Sequence, residues 1–181
     1  MLIMACVVLA AAAWAGGVGR KLTSAPAPAS PADGGIPTGA DRAAVVHVID
    51  GDTVRVRVTA GGGTLPAGEH RVRLLGIDSP EMNIESGAPE CGAVEATAFL
   101  ESLLDGHDVW LQTDREDRDR FDRPLRYAWT GDGTLVNRAI VAAGHAEAVR
   151  LEPNDRYWDV LRSVESEARA DEVGLWGTCP N

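Results

Sequence analysis

The sequence predicts an α+β fold built on a small β-barrel, and three observations predict it. Five short runs read as strands, and helical spacings interrupt them. That order suggests a small barrel rather than a parallel doubly wound sheet. The chain has 181 residues, enough for one domain of ordinary size and a tail. It is 45% hydrophobic and 24% charged, the composition of a folded soluble protein.

In chain order, 45–49 and 53–58 have strand character, with Val54, Val56 and Val58 alternating inward. Between them stands Asp50-Gly51-Asp52. Asp-Gly is common hairpin-corner chemistry, and the same acids are also half of an oxygen-rich metal site. Residues 60–68 form a turn-rich loop, and 70–77 is strand again. Residues 89–104 have helical spacing, with Ala93, Ala96, Leu100, Leu103 and Leu104 on one face and Gly106 as the stop. Strands follow at 109–113 and 125–129. A short helix at 136–143 ends at Gly144, and 145–149 is a short extended piece. A longer helix covers 155–173, with Trp158, Leu161 and either Val164 or Glu165 setting its register. Together these give a five-stranded barrel with about three helices.

The N-terminal part reads differently. Residues 1–19 are uncharged and mostly apolar, and they end near the small-x-small triplet Ala13-Trp14-Ala15. This suits a cleaved signal peptide, with a retained anchor as the rival. Residues 20–42 are rich in Ala, Pro, Ser and Gly and read as a flexible linker. The folded domain is expected over 43–181. Export removes Cys6 and leaves Cys91 and Cys179 as an even pair in an oxidising compartment, expected to form a disulfide. The expected location is secreted or extracytoplasmic, with a membrane tether through 1–19 if the segment is retained.

The formal net charge is −10, so bulk charge does not attract nucleic acid. Phosphate handling would need a local arginine cluster or a bound cation. The sequence has the parts for this in three clusters. Asp50-Gly51-Asp52 is the first. In "RVRLLGIDSPE" (71–81) a strand runs into Asp78, Ser79, Pro80 and Glu81. The third, "DREDRDRFDRPLRYAW" (114–129), alternates charge, and nothing inside it singles out one arginine. Asp52 and Asp78 with backbone carbonyls are hard-oxygen donors suited to Ca2+. Glu81 could activate a water, and Arg73 with one arginine of 115–126 could clamp a phosphate. The four histidines are scattered, without zinc-ligand spacing.

Residues 43–177 resemble the staphylococcal nuclease (thermonuclease) family. "VIDGDTVRV", "RVRLLGIDSPE", "DRFDRPLRY", "LVNRAIVAAGHA" and "GLWG" stand in that family's order at similar separations. The resemblance implies a five-stranded OB-type barrel with three helices and Ca2+-dependent cleavage of DNA and RNA. It implies Ca2+ ligation by the carboxylates of Asp52 and Asp78 and the backbone carbonyl of Ser79. Glu81 would be the general base, or would position the attacking water. Arg73 and Arg123 would bind the scissile phosphate, and Asp50 would stand behind the metal waters. Cleavage of P–O5′ would leave 3′-phosphates. The chain is expected to act as a monomer without a protein partner.

Three positions depart from the family pattern. Asp122 replaces a frequent glycine before the second arginine, and Val149 and Leu151 replace tyrosines that stack bases in the best-known members. Phe121, Tyr157 or Trp158 could substitute, although Trp158 reads more simply as a core aromatic. Two other functions remain open at this point. One is a catalytically weak nuclease-like domain that binds nucleic acid or protein; the other is a Ca2+-dependent structural module. Loss of Glu81 or of either arginine would favour the binding domain, and none is lost; a structural module would not need Arg73 and Arg123 to converge on one cavity.

Overall fold

The computed structural model describes residues 35–59, 63–83, 87–104 and 106–180. The expected signal or anchor and most of the linker lie outside the described residues. Strands β1 (Asp41–Val48), β2 (Thr53–Val58), β3 (Gly68–Leu74), β5 (Asp108–Gln112) and β6 (Leu125–Trp129) form a closed barrel in the order β1-β2-β3-β6-β5. β1 pairs with β5 to close it. Pairing is antiparallel except between β3 and β6. The five-stranded α+β barrel expected from the sequence is the fold observed.

The alternation in β2 works as a barrel strand requires. Val54, Val56 and Val58 point into the core with Val72, Leu74, Val109 and Leu111, while Arg55 and Arg57 point out. β1 opens at Asp41, four residues before the strand expected at 45–49. The buried Asp41 carboxylate holds it there, accepting from Thr64 N and Leu65 N at 3.0 and 3.1 Å.

The strand expected over 70–77 is broken in two. Leu75 and Gly76 turn the chain, and Gly76 takes φ +73 with the Leu161 side chain 2.7 Å from where a Cβ would stand. The chain leaves this turn as β4 (Ile77–Asp78), which pairs with β7 (Glu147–Ala148). Asp78 thus lies on a small second sheet beside the barrel.

Helix α1 (Ala93–Leu104) buries Ala93, Ala96, Leu100 and Leu104. It starts four residues later than its spacing suggests, because Gly92 at φ +84 still belongs to the preceding turn. Helix α2 (Val136–Ala142) ends before Gly144, as expected. Asn137 on α2 is buried and ties β6 to the β3–β4 turn: its Oδ1 accepts from Ala128 N and its Nδ2 donates to Leu75 O. Helix α3 (Trp158–Ala170) buries Leu161, Val164 and Ala168. That register selects Val164 over Glu165, whose carboxylate accepts from Ala148 N instead. Trp158 is only half-buried. A one-turn helix that the sequence did not suggest, α4 (Leu175–Thr178), delivers Cys179 to Cys91.

The expected Cys91–Cys179 disulfide is present and ties the C-terminal turn to the start of α1 across 88 residues of chain. A loop of that length restricts the unfolded chain by about 4 kcal/mol in the chain-entropy picture. Reduction should therefore lower Tm by roughly 10 °C. A melting curve unchanged by dithiothreitol would refute a stabilising bridge.

Candidate active site

The corner between β1 and β2 is closed by Ile49 N donating to Thr53 O at 2.9 Å and by Asp52 N donating to Asp50 Oδ1 at 3.0 Å. Gly51 is required for space. A Cβ there would stand 2.7 Å from Ser79 Cβ and 2.8 Å from Ala96 Cβ. This close approach sets the end of β4 against the corner. Ser79 N then donates to Asp52 Oδ2 at 2.9 Å, and Thr53 Oγ1 donates to Asp52 Oδ1 at 3.0 Å.

Asp52 is buried at 2% exposure. Desolvation pushes its carboxyl up to about 6; the Arg73 guanidinium opposes this and the Asp50 carboxylate adds to it. Arg73 joins the two sequence clusters. Its Nε lies 3.1 Å from Asp52 Oδ1 and its Nη2 lies 2.7 Å from Asp78 Oδ1. Its Nη1 donates to Leu74 O at 2.6 Å and Ile77 O at 2.7 Å. Only the second Nη2 N–H is left uncommitted.

Among the described residues, no three Asp, Glu, His or Cys side chains converge on one point. The donors at the corner nevertheless fit a hard dication. Asp52, Asp50 and Asp78 supply oxygen only, and the two buried acids outnumber the single guanidinium. Ser79 Oγ is buried beside them with no hydrogen-bond partner. Such a site favours an ion of the Ca2+ type over one that needs nitrogen or sulfur ligands.

Glu81 is exposed just beyond Ser79. Its N–H donates to Glu90 Oε2 at 2.9 Å, and Glu90 N donates to Glu81 O at 3.0 Å. Partial burial raises its proton affinity, and the Asp50 and Asp78 carboxylates raise it further. The Glu81 side chain borders a depression of about 660 Å³ together with Arg71, Phe121 and Arg123. An adjoining depression of about 400 Å³ is lined by both Arg73 and Arg123, with Phe121, Val149 and Leu151 around it.

Arg123 is held differently from Arg73. Its Nε donates to Asp119 Oδ2 at 2.7 Å, and its backbone N donates to Asp119 Oδ1 at 2.9 Å. Among the described residues, neither of its terminal nitrogens has a partner. Burial alone would raise the Asp119 carboxyl, but the N–H groups of Arg123 and Phe121 hold it below its ordinary value. Asp119 was not legible in the sequence, because its block has an acid at almost every second position. Asp122 adopts φ +62, the left-handed turn that glycine would take. Its carboxylate pairs with Arg118 at 3.3 Å and leaves Arg123 alone. Of the three candidate aromatics, Phe121 is the one in the depressions, and it is 64% exposed. Tyr157 is tied to Gln112 and packs edge-on against Tyr127.

The loop carrying Arg123 is anchored by two residues that sequence reasoning passed over. Arg126 is fully buried and donates through Nη2 to Asp117 Oδ1 at 2.7 Å. Asn154 Oδ1 accepts from Arg115 N and Glu116 N at 3.0 and 2.8 Å.

The chain is similar to several known proteins. The family model described as staphylococcal nuclease homologue matches residues 71–178. A thermonuclease of Staphylococcus intermedius is 31% identical over 132 residues, covering 73% of this chain and 74% of its own. Endonuclease YncB of Bacillus subtilis (strain 168) is 30% identical over 132 residues, 72% of this chain and 59% of that protein. An uncharacterized endonuclease of Escherichia coli O157:H7 is 33% identical over 132 residues, 73% of this chain and 74% of its own.

The raised proton affinity of Asp52 has a direct consequence for stability in chelator. Between about pH 4 and 6 the folded state keeps a proton that the unfolded state releases, so stability falls as pH rises through that window. Asp52→Asn should remove this slope. Its stability relative to wild type should improve by up to about 3 kcal/mol between pH 4 and pH 7. Urea unfolding at both pH values checks it; a difference that stays constant would show that the Asp52 charge is not the cause.

Proposed function

The chain belongs to the staphylococcal nuclease homologue family, and from that premise we propose that it is an exported, Ca2+-dependent nuclease that cleaves DNA and RNA to 3′-phosphate products. The observation that carries this reading is the shared depression. Arg73 and Arg123 line one cavity, and Glu81 borders the next with Arg123.

In this reading Asp52 and Asp78 hold the cation through carboxylates and Ser79 through its backbone carbonyl, with Asp50 behind its waters. When bound, such an ion would supply charge neutralisation at the phosphate and would lower the proton affinity of water. Arg123 offers both terminal nitrogens to the scissile phosphate, while its Nε remains on Asp119. Arg73 has one free N–H for the phosphate and otherwise spaces Asp52 from Asp78. The two arginines therefore differ in role: Arg123 is the clamp, and Arg73 sets the distance between the acids. Glu81 takes a proton from the attacking water. The water oxygen bonds to phosphorus as the P–O5′ bond breaks, and O5′ leaves with a proton from solvent. The raised affinity of Glu81 for its proton makes it a stronger base than an ordinary carboxylate.

Export is supported by the disulfide together with the apolar run at 1–19. No helix among the described residues is long and apolar enough to cross a membrane. We place the signal or anchor at 1–19, the linker at 20–42 and the nuclease domain at 43–181, acting as a monomer.

Single-stranded DNA and RNA incubated with the purified protein should be cut with Ca2+ present and left intact in chelator. Glu81→Gln should lower kcat by roughly 10²–10⁴ and Arg123→Ala by roughly 10²–10³, with circular dichroism unchanged. kcat should climb with pH as Glu81 loses its proton. Binding without cutting would favour the nucleic-acid-binding alternative. Wild-type rates in both variants would exclude this mechanism.

A further inference from the structure

The geometry points to a phosphate-binding track outside the scissile site, formed by Arg71 and Arg55, that holds the polynucleotide backbone beyond the bond being cut. This rests on the nuclease reading and extends it to the length of substrate engaged.

Three observations carry it. First, β2 and β3 place Thr53 opposite Arg73, Arg55 opposite Arg71 and Arg57 opposite Glu69. Arg55, Arg57, Glu69 and Arg71 lie on the outward face, since Val54, Val56, Val72 and Leu74 fill the core, while Thr53 is buried at the corner. Arg55 and Arg71 are thus direct cross-strand neighbours of like charge. That arrangement is destabilising in an antiparallel pair. Second, the other arginines of β1, β2 and β3 have direct acidic partners: Arg42 has Asp108, Arg57 has Glu69, and Arg73 has Asp52 and Asp78. Arg55 and Arg71 have no direct ion pair among the described residues; Glu69, bonded to Arg57, feels the Arg55 charge only at longer range. Third, the pair is continuous with the site. It stands one outward step along the ladder from Arg73, and Arg71 lines the depression that Glu81 and Arg123 border. His47 faces Arg55 on β1 and is exposed, which carries the row one strand further.

Repulsion between two unpaired guanidinium groups is relieved by an anion placed between them. Neighbouring strands lie about 4.8 Å apart, close enough for both forks to reach one phosphate or two successive ones. A polynucleotide presents such anions in series, whereas a mononucleotide ester presents none beyond the scissile position.

The test is fluorescence anisotropy of a labelled oligothymidylate of roughly twenty nucleotides. It is read in the Glu81→Gln background, so the strand survives whether or not the wild type cuts it. The double change Arg55→Ala/Arg71→Ala should weaken binding roughly tenfold at about 0.1 M salt. It should also reduce the slope of log K against log salt by about 1.4, from two phosphate contacts at about 0.7 each. Arg55→Lys/Arg71→Lys should keep the slope. With Glu81 restored, the alanine pair should raise KM for the oligonucleotide and leave kcat/KM for a dinucleotide unchanged. Its Tm should hold or rise, because repulsion is removed. Unchanged affinity and slope would overturn the track, as would a lowered Tm, which would mark these arginines as supports of the fold. Failure of the nuclease reading looks different: no substrate would be cut by the wild type, while the anisotropy series would still decide the track.

Discussion

The buried carboxylate of Asp52 is the constraint on which the rest of the site depends. It lies where a hairpin corner, the end of β4 and the face of α1 meet, and only Gly51 leaves room for that meeting. Removing such a charge from water is costly unless it is paired and hydrogen-bonded. Ser79 N, Thr53 Oγ1 and Arg73 Nε answer that need from three different segments. The bonds that settle Asp52 therefore also fix the position of β4, and with it Asp78 and the stem that carries Glu81. The compensation is incomplete, because its proton affinity remains raised. An electrostatic deficit of this kind is what a bound dication offsets.

Arg73 and Arg123 look equivalent in the sequence and are opposite in structure. Arg73 is enclosed by two carboxylates and two carbonyls, so it stands as a counter-charge between acids that would otherwise repel. Arg123 is gripped at the root, by Asp119 on its backbone N and on Nε, and is open at the tip. A guanidinium held in this way loses little further freedom when a phosphate arrives, which is the advantage of preorganisation. Its loop is in turn fixed by the buried Arg126–Asp117 pair and by Asn154. The acids of the 114–123 block thus serve to position arginines instead of merely solvating a loop.

The acidic net charge is compatible with a phosphate-handling site because single guanidinium groups stay open within it. The linings of the two depressions hold acids as well as arginines, Glu69, Glu81, Glu116, Asp119, Asp122 and Glu152 among them, but among the described residues neither terminal nitrogen of Arg123 has a partner. Local fields over a few ångströms decide contact, whereas the overall charge acts mainly on long-range approach and is screened beyond about 8–10 Å by physiological salt.

The sequence by itself determined the barrel, the strands through their valine alternation, the disulfide partners, and the candidate acids at 50, 52, 78 and 81. Those features are written in the chain itself: period two in 53–58, an Asp-Gly corner, acids on either side of Ser79-Pro80, and the two cysteines that remain when Cys6 is set aside with residues 1–19. Only the tertiary structure decided that 70–77 breaks at Gly76, that Leu161 packs where a Cβ at Gly76 would stand, and that β4 returns to pair with 147–148. It alone separated the duties of Arg73 and Arg123, chose Asp119 among many similar acids, and left Phe121 as the aromatic facing the depressions while Tyr157 went to the core. The physical reason is range. Dihedral preference and hydrophobic period act over a few neighbouring residues and can be read along the chain. The partner of a guanidinium is chosen by distance in space, across segments 21 to 66 positions apart such as Arg73 with Asp52 and Arg42 with Asp108, and only the closed barrel sets those distances.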